Sequence, residues 1–120
     1  MTGKAIYSLL SSLASGKVYP GIAPQETVPD YIVYFKVSSP PTNDKDGQPL
    51  VTERWQIDIV SRSYAGIVTL SDSVKSAMNL QSGTIATISV DSLRFADERD
   101  FFDGAPDFFR RVQDYLIRVK

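Results

Sequence analysis

Hydrophobic and polar positions change period several times along this chain, and each period predicts an element. Ala5, Ile6, Leu9, Leu10 and Leu13 recur at helical spacing with Ser8, Ser11 and Ser12 between them, which predicts an amphipathic first helix. Thr2 is placed to cap its start, and Gly16 stands where a left-handed C-terminal cap is expected. Three prolines, Pro20, Pro24 and Pro29, hold the next stretch extended, with Val18, Tyr19 and Ile22 expected to tack it to the core. "YIVYFKV", Tyr31 to Val37, is β-branched and aromatic without clean alternation, as an interior strand buried on both faces would be. "TERWQIDIV", Thr52 to Val60, does alternate: Trp55, Ile57 and Ile59 share one face, and Arg54, Gln56 and Asp58 the other. These two strands are expected to form an antiparallel hairpin.

The helical period returns from about Ser63 to Leu80, with Ile67, Leu70, Val74, Ala77 and Met78 as its stripe. Ser61 or Ser63 is the N-cap and Gly83 a stop signal; Gly66, early in this helix, costs about 1 kcal/mol against alanine. Thr84 to Phe95 predicts a third strand, with a bulge or bend near Asp91. An irregular acidic and aromatic stretch, "ADERDFFDGAPD", is expected to follow. Phe108 to Lys120 reads as a final strand: Tyr115, Ile117 and Val119 alternate, and Val112 and Leu116 take the opposite face. An amphipathic helix around Val112 to Ile117 is the alternative. The order helix, strand, strand, helix, strand, strand predicts an α+β fold, a four-stranded, mainly antiparallel sheet with two helices on one face. The second sheet face would carry Tyr34, Val60, Val112 and Leu116, depending on register, and an apolar patch there marks a contact surface.

One domain spanning residues 1–120 is expected, with a flexible hairpin loop at 38–50, "SSPPTNDKDGQP" and its neighbours. Thr42, Asp44, Asp46, Gly47 and Glu53 approach the spacing of a calcium loop, in which oxygen ligands converge on a hard cation. Thr42 replaces the first acid, Pro49 breaks the pattern and the flanks are strands. Pro40-Pro41 and Asp46-Gly47 are better explained as turn chemistry.

Composition narrows the chemistry. The 120 residues are 42% hydrophobic and 22% charged, with a formal net charge of -1, an ordinary globular balance and no electrostatic footprint of a nucleic-acid binder. There is no cysteine and no histidine, so thiol nucleophiles, zinc-thiolate sites and the commonest general base are absent. No stretch reaches the ~18 apolar residues that span a bilayer, and the start has no signal-peptide pattern, so the chain reads as a soluble protein made in a cytoplasm. Asp97, Glu98, Asp100, Asp103 and Asp107 are expected to be a solvated or ion-paired loop rather than a catalytic pair, since Arg99 stands among them. Arg110, Arg111, Arg118 and Lys120 make a basic C-terminal edge, read as ion-pair partners for acidic loops or as a nucleic-acid contact. Phe101, Phe102, Phe108 and Phe109 flank "DGAPD"; core burial and subunit contact remain equal readings. No phosphate-cradling or nucleophile-elbow motif occurs.

"GKVYPGIAPQETVPDYIVY" carries a resemblance. Gly16, Val18, Tyr19, Pro20, Ala23, Pro24, Gln25, Pro29, Tyr31, Ile32, Val33 and Tyr34 resemble the opening of the small tail-completion, or tail terminator, proteins of long-tailed, non-contractile phages. "RWQIDIVSRSYAGIVTLSDSVKSAM", with Ser63-Tyr64 leading into the helix, and the Arg-rich start of "FFRRVQDYLIRVK" resemble that family's later elements. The paired-phenylalanine acidic stretch before the last strand departs from it. The resemblance implies a structural protein without catalytic, metal or cofactor residues, similar to the lambda-like tail terminator. It implies a homohexameric ring at the head-proximal end of the tail tube that stops polymerisation, with room for DNA to pass. The implied partners are itself, the major tail tube protein and a head–tail connector, in a virion tail assembled in a bacterial cytoplasm. Asp44, Lys45, Asp46, Phe101, Phe102, Phe108, Phe109, Arg110 and Arg111 are then the expected interface. A head–tail connector or neck subunit and a monomeric ligand- or calcium-binding module are the competing readings.

Overall fold

The computed structural model describes residues 2–25, 27–39, 51–103 and 108–119, without the side chains of 102 and 103. Helix α1 (Thr2–Leu10) leads through a short 3-10 turn (Ala14–Gly16) into β1 (Val18–Pro20). Then come β2 (Tyr31–Ser38), β3 (Val51–Ser61), α2 (Tyr64–Met78), β4 (Gly83–Ile85), β5 (Ile88–Asp103) and β6 (Phe108–Val119). The class is α+β, but the expected four-stranded, mainly antiparallel sheet is wrong. The sheet has six strands in the order β1-β2-β3-β6-β5-β4, and it is mixed because β1 runs parallel to β2. β1 was not foreseen, and the single strand expected from Thr84 to Phe95 is instead split at Ala86-Thr87 into β4 and β5; β1 and β4 have three residues each, too short for any periodicity to register. β1 hides inside the proline-rich crossover. β4 folds back on β5 through Ala86 and Thr87, both at positive φ, as a tight hairpin turn requires.

Both helices cover one face. Ala5, Ile6 and Leu10 of α1 and Ile67, Val74 and Met78 of α2 join Ile32, Ile57, Ile59, Leu93, Tyr115 and Ile117 in one buried cluster. Rings step from α1 into the sheet: Tyr7 to Tyr34 at 6.4 Å and Tyr34 to Trp55 at 6.2 Å between centroids. Tyr34 therefore lies on the helix side, while Val60, Val112 and Leu116 take the opposite side, as the register with Tyr31, Asp58 and Arg54 shows. A polar seam runs through the core under α2. Buried Ser71 accepts from Gln113 Nε2 through its carbonyl (3.3 Å) and from Arg111 Nη1 through its hydroxyl (3.0 Å), and Tyr115 donates to Gln113 Oε1 (2.7 Å). Burial, then the neighbouring Glu98 charge, pushes the Tyr115 phenol well above its ordinary range.

Several expectations are corrected locally. The first helix ends at Leu10, short of Leu13, because the chain turns into left-handed backbone at Ala14 and Ser15 before Gly16. Ile22 is not tacked down; it is 82% exposed. The acidic stretch expected to be irregular is strand through Asp103. Aspartate and glutamate are poor strand formers, but here β6 supplies cross-strand partners, Arg111 for Asp100 and Gln113 for Glu98, and pairing overrides propensity. The bulge expected near Asp91 is present, as a register shift between Val90 and Ser92. A second shift, between Phe95 and Asp97, sits where Asn79 Oδ1 at the end of α2 accepts from the Phe95 amide.

Candidate docking surface

The sheet face without helices carries a charged middle, and an aromatic end wraps from that face to the start of α2. In the middle, Arg54 donates to Asp114 Oδ2 through Nε (3.1 Å) and Nη2 (2.7 Å). Arg99 Nη1 bridges the same oxygen (3.2 Å) and Asp97 Oδ2 (2.8 Å). The Asp114 side chain is only 5% exposed, and its Oδ1 is buried with no hydrogen-bond partner among the described residues. Asp97 is held below the usual carboxylate range first by the Glu98 amide and then by Arg99. These four side chains sum to zero charge and lock β3, β6 and β5 together.

The aromatic end is organised around Arg110. Its guanidinium donates to Asp58 Oδ2 at 2.8 Å and lies 5.2 Å from the Phe101 ring centroid. On one side, a cavity of about 390 Å³ opens between the crossover residues Gly21–Pro24 and Tyr31, Val33, Val60, Phe108 and Arg110. On the other, a cavity of about 220 Å³ is walled by Tyr64, Ile67, Phe101 and Phe109. Tyr64 meets Phe109 edge-on at 5.9 Å. Exposed Ile22, Tyr64 and Phe101 rim this end. Large apolar side chains left in water around a central arginine are the composition of a protein contact. The outer edge of β5 borders it: β4 pairs only as far as Val90, so residues 96–103 have no partner strand on that side among the described residues.

The structure puts Phe101, Phe108 and Arg110 on the face without helices, and Phe109 and Arg111 on the helix side beside Tyr64. Arg111 donates there to Asp100 Oδ1 at 2.6 Å and, through the hydrogen bond and its charge, holds that carboxyl below its ordinary value. Asp44, Lys45 and Asp46 lie outside the described residues, as does the Phe102 side chain. Glu53, last position of the calcium-loop spacing, is buried on the helix side and accepts from Trp55 Nε1 at 2.8 Å. The ion-pair reading of the basic edge holds for Arg110 and Arg111. Ile22, Asp58 and Tyr64 join the candidate interface residues expected from sequence. Only Ile22 carried a signal, an apolar residue set between Pro20-Gly21 and Pro24 where no regular pairing can cover it.

Comparison with known proteins agrees with this architecture. No curated protein matches the chain. A solved chain described as "Virion of native gene transfer agent (GTA) particle" is similar with a TM-score of 0.72. The likeness covers 95% of this chain and 83% of that one at 15% identity, a likeness of fold. The family described as tail completion protein gp17 matches residues 4–120. This chain belongs to the tail completion protein gp17 family.

Proposed function

We propose that this protein closes a phage or phage-like tail. Six copies form a ring on the head-proximal end of the tail tube, stop its polymerisation and present a surface to the head connector. The observation that carries the reading is the family match over residues 4–120. The fold of a gene-transfer-agent virion chain supports a virion role, and the aromatic end supports protein contact rather than chemistry. A ring needs heterologous contacts that close by rotation, and an elongated molecule of 51 × 25 × 24 Å with unlike ends suits head-to-tail contact.

The test is mass by light scattering, for the protein alone and mixed with the tube protein of the same particle. Six copies of a 13.3 kDa chain make a species of about 80 kDa. That species, free or seated on tube ends, is the expected result. A monomer under both conditions contradicts the ring.

A further inference from the structure

The far end of the same sheet face holds a second site, unrelated to the aromatic end. Ser92 pairs with Arg118, and Arg94 pairs with Leu116, so Arg94 and Arg118 are diagonal neighbours across β5 and β6, about 7–8 Å apart. On the other side of β6, Thr52 pairs with Arg118. Thr52, Ser92, Arg94, Leu116 and Arg118 line a cavity of about 130 Å³. Arg94 and Arg118 are exposed, and neither has an ion-pair partner among the described residues. The contrast with the other sheet arginines is sharp. Arg54 and Arg99 share Asp114, Arg110 holds Asp58 and Arg111 holds Asp100. Two like charges held side by side on a sheet repel each other unless an anion sits between them.

We propose that this cavity is a carboxylate receptor, taking an aspartate or glutamate side chain from a second protein. Two guanidiniums offer paired N–H donors in fixed planes, and the Thr52 and Ser92 hydroxyls offer two more donors at its walls. The cavity is a single notch with Leu116 in its lining, sized for one side chain rather than a track of successive phosphates. A chain of net charge -1 lacks the field that gathers a nucleic-acid backbone. About 27 Å of β6 separates Arg118 from Arg110, so the two sites serve different contacts.

The probe is acetate, titrated into the full chain at constant ionic strength while the arginine Nε–Hε resonances are followed by NMR. Saturable shifts at Arg94 and Arg118, with the four occupied arginines unmoved, are expected. The shifts should vanish in the Arg94→Gln/Arg118→Gln variant, whose other resonances report an intact fold. Three results overturn the proposal. One is no saturable shift, or equal small shifts at all seven arginines. Another is tighter binding of short duplex DNA that the double variant abolishes, which would make this a phosphate site. The last is movement of the same resonances in an acetate-free Asp44→Asn/Asp46→Asn variant, which would show that the chain fills the notch itself. None of these outcomes depends on whether a ring forms.

Discussion

Ser63 and Gly66 work as one device at the start of α2. Ser63 is extended, and its Oγ accepts from the Gly66 amide at 3.0 Å, satisfying one of the free N–H groups of the first turn. A Cβ on Gly66 would stand 2.4 Å from the Oγ of buried Ser61 and 2.9 Å from the capping Oγ itself. The close approach of helix to strand therefore overrides the propensity cost read from sequence. Ser63→Ala should lower stability by about 1 kcal/mol. Gly66→Ala should also destabilise, by about 1–3 kcal/mol, because overpacking outweighs the helical gain. Chemical denaturation followed by the fluorescence of Trp55, the sole tryptophan, measures both. A stabilised Gly66→Ala protein would show that Ser61 and Ser63 can yield.

At the scale of elements, arginine–carboxylate pairs stitch β3, β6 and β5 together across their registers. The Asp97 and Asp100 carboxyls are held below their ordinary values, so their contribution is full above about pH 4 and is lost as pH falls through the lower folded values. The Tyr115 phenol shifts upward, so its contribution is present below about pH 10 and fades above that. With no histidine and no cysteine, no side chain has its ordinary titration between about pH 6 and 9. Thermal melts should therefore be flat from about pH 6 to 9 and fall on either side. A step between pH 6 and 7 would contradict this set of charges.

The long elements were legible before the structure was known. Alternation assigned Trp55, Ile57 and Ile59 to the core face, and Ser63 was one of two caps foreseen for α2. The lost information was of two kinds. β1 and β4 are three-residue strands whose existence depends on neighbours far along the chain, not on local pattern. β5 beyond Phe95 is strand only because Gln113 and Arg111 stand opposite its acids, and no single segment encodes that pairing. The candidate docking end was half legible. The phenylalanine pairs and Arg110 stood out, whereas Asp58 and Tyr64 joined them only through the register of β3 and β6 and the placement of α2.

For the whole molecule, one end is apolar and aromatic and the other holds two arginines without an ion-pair partner among the described residues, a polarity that suits a part placed between two unlike partners. Ile22→Asp should leave the melting temperature nearly unchanged, since the side chain is 82% exposed, while weakening assembly at the aromatic end. Sedimentation at matched concentrations compares the two proteins; unchanged assembly would move the contact elsewhere. The most direct measurement is electron microscopy of tails made by the encoding phage or prophage after deletion of this gene, with complementation by the native chain. The account predicts tubes of uncontrolled length that fail to join heads, corrected by the native protein. Tails of normal length already joined to heads in the deletion strain would contradict it.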